Sequence, residues 1–265
     1  MFVKSLFKFL AMILILGMAS SAFAEDNSWQ RVKTKGKLVI GLDDAFPPMG
    51  FRKDDGTLTG FDIDAAEELG RRLGIKIVWQ PTAWDGVIHS LYAKKFDCIW
   101  NGMTITTERA KKVNFTKPYI MDGQVVVVRI NEDKIKTFKD LKGKTIGVQK
   151  GSSALEAVKK LPVKPGLVKE YENNPKAFLD LEAGRLDAMV VDNVSGRYYI
   201  SVRPGKYKIL PGFITKEPFG VAFRKEDKKL LEVIQKGIDL MVADGTLGEI
   251  SKKWFGEDIT DPNKW

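Results

Sequence analysis

Short apolar runs rich in β-branched residues alternate with longer stretches of helical period along most of the chain. Leu38–Leu42, Ile75–Trp79, Cys98–Trp100, Val125–Ile130, Thr145–Val148, Ala188–Val191 and Gly220–Phe223 read as strands. Several are apolar on both faces, which predicts mainly parallel sheets covered by helices. Between them, Asp62 is placed to cap a helix running to Leu73 before Gly74, and Asn174-Pro175 opens another that stops at Gly184. Within Lys229–Ala243, Leu230, Leu231, Ile234, Ile238 and Met241 recur at helical period, and Leu247–Phe255 gives a second short amphipathic helix. The fold class is α/β.

Two α/β blocks, about 37–121 and 138–215, follow one another without a sequence repeat, and the C-terminal helices are expected to pack back on the first. Two strands, near Gly123–Ile130 and Pro218–Phe223, would then cross between lobes and form a hinge. The expected division is residues 1–24 a signal peptide, 25–122 the first part of lobe 1, 123–217 lobe 2, and 218–265 the remainder of lobe 1. No linker-like or low-complexity tract separates the lobes.

The signal-peptide reading rests on Lys4 and Lys8, the apolar run Phe9–Met18 and the A-x-A ending Ala22-Phe23-Ala24. The run is too short to span a bilayer, and no later stretch is long enough. Cleavage after Ala24, export and a soluble periplasmic monomer are expected. Cys98 is the only cysteine, so the chain forms no internal disulfide and offers no lipid acceptor at the cleavage point. The formal charge of +9, which falls by two on cleavage, is interleaved with acids in Lys53-Asp54-Asp55 and Arg224-Lys225-Glu226-Asp227. It reads as a solvated surface rather than a nucleic-acid interface, with a secondary attraction to anionic membranes.

Three segments carry candidate chemistry. Trp100-Asn101-Gly102-Met103-Thr104-Ile105-Thr106-Thr107-Glu108-Arg109 reads as a strand, a loop and a helix start, the place where open α/β sheets bind ligands. Arg109 gains nothing from the helix dipole in a first turn, and a carboxylate clamp would justify it. Taken alone, it reads more readily as a surface arginine paired with an acid such as Glu108. Gly147-Val148-Gln149-Lys150-Gly151-Ser152-Ser153 again ends a strand at a helix start, where backbone N–H groups attract anions. Ser153 with Glu156 also forms an S-x-x-E capping box that would use those donors. Asp192 ends the strand Asp187–Val191 and either takes an ammonium or caps the next helix. Phe46 and Trp84 follow strands, in loops where they could sandwich an aliphatic stem or be unremarkable single aromatics.

Other signatures fail. Gly143-Lys144-Thr145 lacks the preceding glycine of a phosphate-binding loop, Phe138 standing in its place. His89 is the only histidine, so neither a His-based zinc site nor a serine-histidine triad can form. No metal and no cofactor are expected.

Taken together, the chain resembles the polar-amino-acid-binding members of the extracellular solute-binding proteins of ABC importers, family 3. The resemblance is carried by Phe46-Pro47-Pro48-Met49-Gly50-Phe51, Gly60-Phe61-Asp62-Ile63-Asp64, Gly102-Met103-Thr104-Ile105-Thr106 with Glu108-Arg109, Phe115-Thr116-Lys117-Pro118-Tyr119, Gly184-Arg185-Leu186-Asp187-Ala188, and Asp244-Gly245-Thr246 with Lys253-Trp254-Phe255-Gly256. It implies a two-lobe periplasmic-binding-protein fold, mainly parallel sheets joined by two hinge strands, and no enzymatic activity. It also implies that Arg109, Thr104 and Ser153 hold the ligand's α-carboxylate, that Asp192 and the Gly102 carbonyl hold its ammonium, and that Phe46 and Trp84 stack on its side chain. Asp43, Asn101, Gln149 and Lys150 would stand near the side-chain tip. Gly102 departs from the family, where many members carry serine, and Asp62 reads as structural. The implied partners are a free polar L-amino acid, basic or amide, and the membrane permease subunits of the importer. The competing reading is a cyclohexadienyl or arogenate dehydratase-like lyase on the same fold; a receptor sensor lobe would need a transmembrane helix.

Overall fold

A computed structural model describes residues 26–264. The signal-peptide reading therefore lies outside the described residues. No described helix is long and apolar enough to cross a membrane.

Two sheets organise the chain. The first has the spatial order Lys76–Pro81, Lys37–Leu42, Cys98–Ile99, Ala222–Phe223, Asn114–Phe115. Leu38 and Ile40 are fully buried against Phe61, Ala65 and Leu69 of the helix Phe61–Leu73. Leu230, Ile234, Ile238 and Met241, the helical stripe of Lys228–Ala243, join the same core, as does Leu247 of Thr246–Phe255. These C-terminal helices thus share their apolar core with the first sheet. A buried ion pair, Arg224 Nε to Asp227 at 2.5 Å, fastens the junction, and Arg224 donates to the carbonyls of Leu91 and Phe96.

The second sheet runs Leu167–Tyr171, Thr145–Gln149, Ala188–Asp192, Ile120–Arg129, with Tyr207–Ile209 and Thr215–Phe219 both paired to Ile120–Arg129. Its strands are apolar on both faces because both are covered. Val126, Val128, Ile146, Val148 and Val190 pack on one side with the short helix Ala154–Lys159. Val125, Val127, Met189 and Val191 pack on the other with Ala177, Phe178 and Leu181 of Asn174–Glu182. Alternate residues of one strand serve opposite cores, as a period of two requires.

The expectation of mainly parallel sheets holds for the first three strands of each sheet. The remaining strands are antiparallel, so each sheet is mixed. The reason is the hinge: a chain that leaves one sheet and comes back must reverse direction. Ile120 and Phe219 pack in the first core, while Val125 to Val128 pack in the second. The two connecting strands pair with each other, Phe219 opposite Ile120, Glu217 opposite Asp122 and Thr215 opposite Gln124. Thr215–Phe219, together with Leu167–Tyr171 and Tyr207–Ile209, has no apolar alternation to announce it in the sequence. Neighbouring strands make these segments extended.

Candidate functional site

The carboxyl ends of strands from both sheets converge. Asp43 follows Lys37–Leu42, Asn101 lies just past Cys98–Ile99, and Trp84 starts a short 3-10 turn after Lys76–Pro81. From the other sheet, Gln149 ends Thr145–Gln149 and Asp192 ends Ala188–Asp192. Between them is a narrow cavity of about 10 Å3, lined by Asp43, Phe46, Trp84, Asn101, Gly102 and Thr104, by Arg109, Gln149, Ser153 and Asp192, and by Ser152. Ten of the eleven residues expected at the site therefore line one cavity. Lys150 does not; it is exposed and pairs with Asp85 at 2.8 Å.

The two sheets meet closely here. Gln149 Nε2 donates to Asp43 Oδ2 at 2.6 Å, and Arg109 Nη2 to the Gly151 carbonyl at 3.1 Å. Gly151 has φ +73°, and a Cβ there would lie 2.7 Å from Asp85 Cα, so glycine alone permits this approach.

Arg109 is presented by a six-residue helix, Thr107–Lys112, capped by the Thr106 hydroxyl, which accepts from the Arg109 backbone N–H. Its guanidinium lies 5.6 Å from the Trp84 ring centroid and donates Nη1 to the Thr104 carbonyl at 3.0 Å. The bland alternative, a surface pair with Glu108, is not what forms: Glu108 takes Lys111 instead. Burial lowers the Arg109 pKa, and Asp192 and Glu217 act in the opposite sense. Both hydrogen-bond partners found for the guanidinium are neutral carbonyls, so further N–H groups of the fork can meet an anion.

Across the cavity, Asp192 is buried and its pKa is pushed well above the carboxylate range, first by burial and then by the charges of Asp122 and Glu217. Its carboxylate does not cap the helix Asn193–Val202 that follows. Asp122 takes that place, accepting from Val194 N at 3.3 Å and Asn193 Nδ2 at 3.2 Å. Burial raises Asp122 to about 7. Asp192 Oδ1 instead accepts from Gln124 Nε2 at 2.8 Å. Of the two roles left open for Asp192, the capping role is taken by another residue.

At the other end, Asp43 is buried and its pKa is raised by desolvation, partly offset by the Gln149 amide and by Ala45 N–H. Asn101 Oδ1 accepts from Asp43 N at 3.0 Å, which makes Asn101 an anchor for the Asp43 loop. Gly102 has φ +54°, and a Cβ there would come within 2.8 Å of the Phe46 ring. The ring of Phe46 fills the space that a side chain at this position would take. Phe46 and Trp84 are both nearly buried, so neither is a stray surface aromatic.

Two local readings are corrected. Ser153 with Glu156 is not a capping box: Ser153 makes no side-chain cap bond, and Glu156 pairs with Lys159. The Ser153 hydroxyl is drawn instead to a carboxylate, Glu217. Asp62 does not cap its helix, whose N-cap is Gly60. Its Oδ2 accepts from Gly102 N at 2.7 Å, with Tyr119 and Trp100 facing it, and burial pushes it up to about 7. It thus holds the loop that carries Gly102 and Thr104. Sequence reasoning did not find Asp122, Gln124 and Glu217; their only signal is that polar residues interrupt Asp122-Gly123-Gln124-Val125-Val126 and precede Pro218. Among the described residues, no group of three or more His, Cys, Asp or Glu is placed to hold a metal.

Over residues 38–257 the chain matches the bacterial extracellular solute-binding proteins, family 3. It is 37% identical to the L-cystine-binding protein TcyJ of Escherichia coli strain K12, over 97% of each chain. Among solved structures it is similar to an ABC uptake transporter substrate-binding protein from Streptococcus pneumoniae with bound histidine. The TM-score is 0.84 and the identity 36%, over 89% of this chain and all but 1% of the other, which is covered to 99%. The ancestral amino acid-binding protein AncCDT-1, a precursor of cyclohexadienyl dehydratase, gives a TM-score of 0.79 at 40% identity, over 85% of this chain and 98% of that one.

Proposed function

The chain belongs to the bacterial extracellular solute-binding proteins of family 3, and from that premise we propose that it captures one polar L-amino acid, basic or amide, by closure of its two lobes. The coarser function is set by the family and its relatives: this is the amino-acid-binding component of an ABC importer, not an enzyme. Arg109 receives the α-carboxylate with the Thr104 and Ser153 hydroxyls. Asp192 and the Gly102 carbonyl receive the ammonium, Phe46 and Trp84 enclose the side chain, and Asp43, Asn101 and Gln149 stand at its tip.

The observation that carries this reading is a guanidinium with N–H groups to spare and a buried aspartate lining the same small cavity from different sheets. Only the shut form offers both charges to one zwitterion, so the ligand shifts the open and closed equilibrium by its differential affinity. A micromolar receptor needs roughly 8 kcal/mol, and charged hydrogen bonds at roughly 1.5 to 3 kcal/mol each, with aromatic burial, supply it. The acid at Asp43 supports a side chain bearing a hydrogen-bond donor. The ligands named for the two relatives, cystine and histidine, each carry a nitrogen beyond one α-amino group.

The protein is exported by residues 1–24, works as a monomer in the periplasm and presents its closed form to the permease. Residues 25–122 and 218–265 form one lobe and 123–217 the other. Calorimetric screening of the twenty L-amino acids and L-cystine tests the ligand class; heats indistinguishable from dilution throughout would end the reading.

A further inference from the structure

Glu217 is a buried carboxylate on the second hinge strand, and it stands behind the cavity wall rather than in it. Its Oε2 accepts from Ser153 Oγ at 2.6 Å, Thr104 Oγ1 at 2.9 Å and Gln124 Nε2 at 3.2 Å. Its Oε1 accepts from Thr215 Oγ1 at 2.8 Å, which fixes the side chain from its own strand. Thr104 comes from the first lobe and Ser153 from the second, and their hydroxyl oxygens are 3.1 Å apart. One carboxylate oxygen thus ties both lobes to the hinge.

A hydroxyl has one proton. If the Thr104 and Ser153 protons point to Glu217, only their lone pairs face the cavity, and lone pairs repel a carboxylate. The α-carboxylate of an amino acid beside Arg109 requires the same two protons to turn round. Glu217 and the ligand are chemically alike, and they ask for one set of donors.

We propose that Glu217 is an internal competitor of the ligand's carboxylate: it latches Thr104 to Ser153 across the lobes and must release them for an amino acid to bind. This rests on the assignment of Arg109, Thr104 and Ser153 to the carboxylate. The latch draws the lobes together in an unliganded form and lowers apparent affinity by stabilising that form. Asp122 stands directly opposite Glu217 on the partner strand.

The test compares the wild type with Glu217→Gln by calorimetry, using L-arginine, L-histidine, L-cystine and any other amino acid found in the screen. Loss of one charge-assisted competitor should tighten binding about tenfold. Small-angle scattering without ligand should show the variant more open than the wild type. Equal or weaker affinity in the variant would mean that Glu217 supports the hydroxyls instead of competing for them, and the proposal falls. Should Glu217→Gln fail to fold, Thr215→Val loosens the same carboxylate from the side away from the ligand; a smaller gain in affinity supports the latch, and none overturns it. Arg109→Ala separates the two levels: retained binding there sinks the carboxylate assignment, whereas lost binding there without tightening in Glu217→Gln sinks the latch alone.

Discussion

Two buried aspartates, Asp62 under the first sheet and Asp192 at the end of the second, show what neighbours make of the same group. Each is withdrawn from water, and burial raises the pKa of each. Around Asp62 the neighbours are neutral: its Oδ2 accepts from the Gly102 N–H, and the Tyr119 hydroxyl and the Trp100 indole face it. Around Asp192 stand two more acids, Asp122 and Glu217, with Arg109 the cation acting against them. A carboxylate among neutral neighbours, with one oxygen on a backbone N–H, holds a loop in place. One crowded by like charge at a cavity wall, and hydrogen-bonded by a neutral amide, suits the ligand ammonium proposed for it.

The largest expected effects break this contrast at the cavity. Arg109→Ala and Asp192→Ala should each weaken binding of the screened amino acid by about 100-fold or more, since truncating one partner of a buried charge pair leaves the other uncompensated. Both proteins should keep their cooperative melt. Near-normal affinity in either, measured by calorimetry, removes that residue from the site.

Asp62→Asn sharpens the contrast through pH. The amide keeps an acceptor for Gly102 N–H, so folding and ligand binding should persist. With a folded pKa of about 7 against an ordinary 3.8, the wild-type carboxyl stabilises the fold fully below pH 3.8, and that contribution is lost as pH rises toward 7. Denaturant melts of the two proteins should diverge between pH 4 and 7, with the wild type losing ground, and run parallel above. Identical pH profiles would show that Asp62 is not a desolvated carboxyl.

Trp84→Ala should cost about tenfold in affinity by removing one wall of the cavity and the ring beside Arg109. The smallest effect is expected for Lys150→Ala. Its ion pair with Asp85 is exposed, and such pairs contribute little, so affinity should stay within about threefold of the wild type. A larger change in calorimetry would return Lys150 to the ligand.

The contrast between the aspartates also marks how far the sequence could be read. Strands such as Lys37–Leu42 and Ala188–Asp192 were legible because apolar runs fix an extended buried segment locally, and the residues at their ends were legible because open α/β sheets bind at carboxyl ends. Of Thr215–Phe219 only the Pro218-Phe219 end was, since Thr215-Lys216-Glu217 owes its extended form to the strand beside it. Ser153 offered a valid capping pattern, and a carboxylate on the hinge outbid the backbone for its hydroxyl.

Alternation of apolar runs, helical stripes and the placement of Arg109 and Asp192 after strands are properties of neighbouring residues, and the sequence by itself determined them. Which donor meets which acceptor was decided by tertiary structure alone: Thr104 and Glu217 are 113 positions apart, and Asp62 and Gly102 are 40. A hydrogen bond depends on a separation of about 3 Å, and no local pattern carries that distance across a chain that leaves a sheet and returns to it.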